Sequence, residues 1–463
     1  MPKPISAWAT SIKMIVLKIG GSSMGNAARM NQALDIAAAQ LDDAPLMVCS
    51  AMEGITDGII KAFRLAQKGQ SDRSVRAVDT MRSTHLNCAR EFLEGEFLTT
   101  AEAELLGLFD QFASLLKGIA LLRECSLRSQ DALLSFGERL STRLIHSRAQ
   151  QRGIDAILLD ARELIRSDEN FTNARPDMNE TFRLSAEKAH PRSNRLLITQ
   201  GFIASSPDGV TTTLGRGGSD YTASILAAAL GAREIQIWTD VNGIMTSDPR
   251  LVPRATTIPD ISYEEAGELA FFGAKVLHPA TIQPAVLKKI PVVVRNTNSP
   301  ENEGTRISAQ PPSPGLKAIA VKKGITVLNV SSSRMLEAHG FLCRLFAIFD
   351  DAKIPVDLVA TSEVSVSLTI ERSDKLSDIL DKLNELGRVS VEHDMCIICM
   401  VGRELWKDPS FPSKAFAAIM DIPVRMISLG ASDINLSLVV PANRADDTLT
   451  RLHSGFFEVS GPN

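Results

Sequence analysis

The sequence predicts an α/β protein with two small ferredoxin-like units attached to its end. Three observations carry that reading. Short β-branched runs alternate with helical stretches over the first ~310 residues. A polar segment follows, NTNSPENEGTRISAQPPSPG, which reads as a linker or exposed connection. Beyond it, the order strand, helix, strand, strand, helix, strand occurs twice. Length agrees: at about 150 residues per domain, 463 residues make about three domains. Single cores stop growing near ~250–300 residues, so one undivided core is not expected.

The elements follow in order. MIVLKI (14–19) is a short apolar strand that ends in Gly20-Gly21, and Ala27 to Leu41 is helical. PLMVCSA (45–51) repeats the plan and leads into a helix from about Asp57. From Val75 to Gln150, apolar residues recur at three- and four-residue spacing, the helical period. AILLDA (156–161), RLLITQGFIA (195–204), EIQIWT (234–239) and PVVVRN (291–296) resume the strands. Apolar strands joined by helices imply parallel pairing with crossover connections. GRGGSD, TDVNG and FFGAK then fall at strand ends or helix starts, where open α/β sheets bind ligands.

In the C-terminal part, the first unit reads ITVLNV, GFLCRLFAIFDDA, VDLVAT, VSVSLTI, KLSDILDKLNEL and VSVEH. The second reads CIICMVG, PSKAFAAIMD, VRMISLG, INLSLVV and DDTLTRLHSGF. The domains expected are therefore 14–309, 316–392 and 393–463. Exchange of strands between the two small units, which would give 316–322 to the second, stays open.

Composition excludes several classes. Lys plus Arg is 50 against 54 for Asp plus Glu, and no basic run reaches five residues, so the footprint of a nucleic-acid binder is missing. Aromatics at 5% are too few for base-stacking platforms. No apolar stretch is expected to approach the ~18 residues of a membrane span, and the N-terminus lacks a signal-peptide core, so a cytoplasmic protein is expected. Six cysteines are scattered except Cys396 and Cys399, which sit in the apolar run MCIICMV and read as packed thiols rather than a zinc pair. No metal ligand set made of protein alone is expected.

Two generic nucleotide motifs are absent: no Gly-Lys dipeptide exists for a P-loop, and no G-x-G-x-x-G follows a strand. Two other glycine loops remain. Lys18-Ile19-Gly20-Gly21-Ser22-Ser23 offers backbone N–H groups and a cation to phosphate oxygens. Gly215-Arg216-Gly217-Gly218-Ser219-Asp220 opens a helix with a cation and a carboxylate, a good place for an anionic substrate.

In the order KIGGSS, SFGERLST, GRGGSDYTA, WTDVNGIMTSDPR and FGAKVLHPAT, the motifs resemble the aspartokinases of the amino-acid kinase family. The resemblance is to the lysine-regulated, monofunctional form and covers nearly the whole chain. MLEAHGFLCRLF and VDLVATSEVSVSLTI look like the first of its two ACT domains. It implies a three-layer α/β/α kinase domain followed by two ferredoxin-like ACT domains. It also implies transfer of the γ-phosphoryl of ATP to the side-chain carboxylate of L-aspartate, the first step of lysine, threonine and methionine biosynthesis, with Mg²⁺ held mainly by phosphates and water.

The same resemblance assigns roles. Lys18, Asp220 and Lys275 would be catalytic, with Thr56, Glu138, Phe202, Arg216 and Ser219 around aspartate. Lys18, Gly20, Gly21, Ser22, Thr239, Asp240, Met245, Arg250 and Lys275 would meet the nucleotide. Met335, Gly340, Phe341, Leu342, Asp357, Thr361, Ser362, Glu363 and Val364 would form an effector site for L-lysine, with the acceptors on successive strands. A homodimer or homotetramer through the ACT domains is implied as well. Departures from the family pattern are Ile19 for Phe, Phe136 for His, Met245 for Tyr, and Ala338 and Ala360 for hydroxyl residues. Two rivals remain at this level: an amino-acid kinase with another substrate, and a non-catalytic ACT-domain sensor. Threonine is the alternative effector, although it lacks the second ammonium.

Overall fold

The structure, a computed structural model, describes residues 14–273, 278–310, 313–335, 339–372, 374–430 and 432–458. The chain divides into two compact units, residues 1–243 with 278–309, and residues 244–277 with 310–463.

The first unit holds strands β1 (Ile15–Ile19), β2 (Leu46–Cys49), β3 (Ala156–Leu159), β4 (Leu196–Gln200), the short pair β5 (Ile203–Ser205) and β6 (Thr211–Thr213), and β7 (Glu234–Thr239). Its helices are α1 (Ala27–Ala38), α2 (Ile55–Gln67), α3 (Ser71–Phe92), α4 (Gly95–Leu122), α5 (Leu127–Leu134), α6 (Phe136–Gln151), α7 (Ala161–Leu164), α8 (Met178–Lys188) and α9 (Gly218–Leu230). Of the next elements, β8 (Asp260–Ser262) and α10 (Tyr263–Phe271) fall within the second unit, whereas α11 (Gln283–Lys288), β9 (Val292–Asn296) and β10 (Thr305–Ser308) return to the first.

Within the first unit the main sheet runs β3-β4-β2-β1-β7-β9-β10. It is parallel through β9, and only β10 joins antiparallel. Alternation along β1 separates its two faces. Ile15, Leu17 and Ile19 pack into a core shared with α1, α2, α3, α4 and α6. On the opposite face α9 packs against β1, β2 and β7 and is flanked by α8 and α11. That is the three-layer arrangement, and it turns Lys18, between Leu17 and Ile19, toward α9. The strand order reverses at β1, so the crevice at its carboxyl end lies between the ends of β2 and β7.

Two expectations need correction. RLLITQGFIA is not one strand: it breaks at Phe202, whose φ of 70° is left-handed, into β4 and β5. The expectation about apolar stretches misses α4, a helix of 28 residues with an 18-residue window of mean hydropathy 1.5. Its buried residues Ala101, Leu105, Phe109, Phe112, Leu116 and Ile119 recur every three or four positions and enter the core, so one face is claimed by packing.

The second unit holds β11 (Gly315–Ser331), α12 (Phe341–Ala352), β12 (Val359–Thr361), β13 (Ser365–Glu371), α13 (Leu376–Leu386), β14 (Arg388–Arg403), α14 (Ser410–Ala418), β15 (Met426–Leu429), β16 (Asn435–Pro441) and α15 (Ala445–His453). Its sheet runs β12-β13-β11-β14-β16-β15. VSVEH and CIICMVG, read as separate strands, are the two halves of β14. Ile325–Ser331 of β11 pair with β13, and Gly315–Lys323 pair with Cys396–Arg403 of β14. One half of the sheet is thus built from the first repeat alone, whereas the half that carries the second repeat also takes in Gly315–Lys323, and two cores lie against it. Burial pushes the Cys396 thiol up to about 11 and the Cys399 thiol up to about 12, so both remain neutral packing groups.

Candidate functional site: a cleft at the strand ends of the first unit

A cleft of about 460 Å³ opens where β1, β2 and β4 end and α9 begins. Lys18, Gly21, Ser22, Thr56, Glu138, Phe202, Arg216, Ser219 and Asp220 all line it. Nine residues that the sequence singled out, from five separate stretches, therefore meet in one place.

Lys18 Nζ lies 2.8 Å from Asp220 Oδ1, with the two side chains 13% and 16% exposed. Asp220 is in the first turn of α9, so the pair joins the end of β1 to the helix start. Arg216 is exposed and makes no ion pair among the described residues, which leaves its guanidinium available to an anion. Close backbone packing shapes this corner. A Cβ on Gly218 would sit 2.6 Å from the Phe202 ring and 3.0 Å from its Cα, so only glycine lets α9 start there. Asp131, fully buried, accepts hydrogen bonds from the N–H groups of Thr172 and Thr213 and from Thr213 Oγ1, fixing the hairpin that leads into Gly215-Arg216.

Glu138 stands in the first turn of α6 and is 5% exposed. Burial pushes its carboxyl up to about 8, although the Ala51 N–H donates to Oε1 at 3.3 Å. Among the described residues no cation pairs with it; a ligand ammonium would ionise it. The Ser50 hydroxyl donates to Ser219 Oγ at 3.1 Å, tying the end of β2 to α9. Among the described residues no histidine, cysteine or tyrosine lines the cleft.

The sequence reading missed Ser50, Ala51, Met52, Glu53 and Gly54, which form the wall between β2 and α2. Their signal was present: PLMVCSAMEG ends in glycine after an apolar strand, just as MIVLKIGG does. Glu53 is paired with Arg29 at 3.0 Å.

Of the nucleotide residues, Thr239 ends β7, and its hydroxyl donates to Asp240 Oδ1 at 3.1 Å. Met245 and Arg250 lie in the segment that clusters with the second unit. There Arg250 forms an exposed pair with Asp248 at 2.7 Å. Lys275 lies outside the described residues, as does Ala338. Among the described residues no three His, Cys, Asp or Glu side chains converge as a metal site.

The effector residues belong to the second unit. Met335 closes a short 3₁₀ turn, and Gly340, with φ 78°, precedes α12, whose first residues are Phe341 and Leu342. The acceptors do not lie on successive strands. Asp357 precedes β12, Thr361 ends it, and Ser362, Glu363 and Val364 form the turn into β13, closed by the Ser362 N–H donating to Ser365 O at 2.8 Å. Two-residue period cannot distinguish strand from hairpin turn in so short a run.

Comparison with known proteins extends these observations. Residues 13–296 match the amino acid kinase family, and residues 398–456 match an ACT domain. The chain is 37% identical to the lysine-sensitive aspartokinase 3 of Escherichia coli over 458 residues, which covers 96% of this chain and all of that protein. Its fold is similar to crystal structures of E. coli aspartokinase III with aspartate and ADP in the R-state, TM-score 0.79 at 36% identity, and with lysine and aspartate in the T-state, TM-score 0.80 at 37% identity. Each alignment spans 96% of this chain and 100% of the other. The family match covers more than half the chain and the identity runs its length: this chain belongs to the aspartokinases of the amino acid kinase family.

Proposed function

We propose that the chain is an aspartate kinase: it transfers the γ-phosphoryl of ATP to the side-chain carboxylate of L-aspartate, giving 4-phospho-L-aspartate and ADP, and L-lysine inhibits it. The observation that carries this reading is the Lys18–Asp220 pair beside a free Arg216 at the carboxyl ends of parallel strands. A carboxylate oxygen attacks the γ-phosphorus while the bond to the bridging β,γ-oxygen breaks. The nucleophile is already ionised, so the step needs no general base. It needs cations and positioning, which is what this cleft offers.

Lys18 stabilises the transferring phosphoryl group and is oriented by Asp220. Arg216 takes the α-carboxylate in a bidentate fork and Glu138 the α-ammonium, with Thr56, Phe202 and Ser219 completing the pocket. Gly20, Gly21, Ser22, Thr239, Asp240, Met245, Arg250 and Lys275 are assigned to the nucleotide. Mg²⁺, when bound with ATP, neutralises phosphate charge; phosphate oxygens and water would hold it, with Asp220 as the available carboxylate.

The reading extends to lysine at Met335, Gly340–Leu342, Asp357 and Thr361–Val364, and to a homodimer or homotetramer through the ACT domains. Exposed Val359 on β12 and Ile427 and Leu429 on β15 support the assembly. Six unpaired cysteines accord with a cytoplasmic location. Hydroxamate detection of the acyl phosphate, with ATP and L-aspartate and with or without lysine, tests the activity. Product that forms and falls with millimolar lysine supports the reading; no product with aspartate, but product with glutamate or acetylglutamate, sinks it.

A further inference from the structure

A second lysine–carboxylate cluster, in which the lysine and one carboxylate are covered and the other carboxylate is exposed, lies in the C-terminal unit. Lys322 Nζ, on β11, is 2.8 Å from Asp357 Oδ1 and 2.9 Å from Glu371 Oε1. The Asp357 side chain is only 3% exposed, and its Oδ2 has no hydrogen-bond partner among the described residues. Lys322 Nζ also sits 4.2 Å from the centroid of the Phe271 ring, at the end of α10. Neither sequence pattern nor resemblance pointed to Lys322.

A buried carboxylate oxygen without a donor is unfavourable, and an incoming donor there gains what the protein has left unmade. The charges agree. The titratable groups facing Asp357 are Lys322 and Glu371, so two carboxylates share one ammonium and the cluster is short of one positive charge. Burial pushes the Asp357 carboxyl above its ordinary range; Lys322 pulls it back, and Glu371 adds to the push.

We propose that Lys322 is a positioning residue for the effector: it anchors Oδ1 of Asp357 so that Oδ2 receives an ammonium group, and its contact with the Phe271 face ties that event to α10. The inference rests on the lysine reading above and deepens it. The cation–π contact matters because α10 lies in the same 244–277 segment as Met245 and Arg250, two residues assigned to the nucleotide. Binding at Asp357 therefore acts on a helix continuous in sequence with those residues.

The test is calorimetric titration of the full-length protein with L-lysine at pH 6.5 and 8.5, alongside lysine inhibition of its kinase activity. In Lys322→Met, Asp357 loses its cation and its carboxyl is pushed further toward the neutral form, so lysine binding weakens roughly tenfold or more, and by more at pH 6.5 than at pH 8.5. Lys322→Arg keeps the charge and binds within about threefold of wild type. Phe271→Leu binds lysine normally but is inhibited less at saturation. Binding in Lys322→Met as tight as wild type, or tighter, would mean that Lys322 is idle or competes for Asp357, and would overturn the proposal. An equal loss at both pH values, or a loss in Lys322→Arg matching that in Lys322→Met, would make the residue a structural prop and overturn it equally. Full inhibition in Phe271→Leu would remove the link to α10. Wild-type protein that phosphorylates aspartate but gives no lysine heat would instead break the effector reading, and this inference with it.

Discussion

Each unit holds a lysine 2.8 Å from a carboxylate, and their surroundings give the two pairs opposite charge balances. Lys18 and Asp220 stand at the wall of an open cleft with Arg216 beside them. Glu138 is held largely neutral there and Glu53 is taken by Arg29, so the uncompensated charge is positive. Lys322 instead meets both Asp357 and Glu371, and the balance is negative. The first arrangement suits phosphates and a dicarboxylate, the second a ligand with two ammonium groups. The length of an ion pair says little about its role; the unmatched charge around it says more.

The sharpest way to break this comparison is Lys18→Ala. If Lys18 acts on the transferring phosphoryl group, turnover falls about 10²–10³-fold, equivalent to about 2.7–4 kcal/mol of transition-state stabilisation, while aspartate affinity changes little. If Lys18 only braces Asp220, as a buried structural pair would, thermal stability drops and turnover per folded molecule survives. Kinetics and melting curves on one preparation separate the two.

A smaller effect is expected from Arg216→Lys, which keeps the charge and loses the fork. The aspartate KM should rise roughly tenfold with a modest change in kcat, because a point charge cannot replace bidentate pairing with a carboxylate. An unchanged KM would take Arg216 out of the pocket, and the positive balance of the cleft would then serve phosphates alone.

Much of the cleft was legible because its residues sit at punctuation marks in the sequence. Gly20-Gly21 after MIVLKI and Gly217-Gly218 before TASILAAAL mark a strand end and a helix start, and charged residues at such places are easy to single out. Ser50 to Gly54 also follow a strand and end in glycine, but, Glu53 apart, they are small or apolar and carry no charge to single them out. Their place in the wall follows from β2 pairing beside β1, a tertiary fact. The left-handed Phe202 was hidden for a similar reason, since an aromatic residue between two apolar runs reads as strand. In the second unit the failure was one of range. Lys322 reaches Asp357 across 35 residues of sequence and Phe271 in a separate stretch of the same unit, and no local pattern announces either contact.

The smallest effect is a proton. In the ligand-free cleft Glu138 has its carboxyl pushed up to about 8 by burial, against the pull of the Ala51 N–H. At pH 7 about nine-tenths of the molecules therefore carry it protonated. The folded value lies above the unfolded one, so Glu138 contributes stability that is fully present below about pH 4.5 and lost as pH rises through 8. Aspartate reverses the preference, because its α-ammonium beside Glu138 favours the carboxylate. Binding at pH 7 should then release close to one proton, and aspartate affinity should climb with pH and level off above about 8. Titration calorimetry in two buffers of different ionisation heat counts that proton directly. In Glu138→Gln the proton should vanish from the count, and affinity should become weaker and flat across the same range. A wild-type count near zero at pH 7 would mean that the ammonium is met elsewhere, and Glu138 would pass from the binding site to the packing behind it.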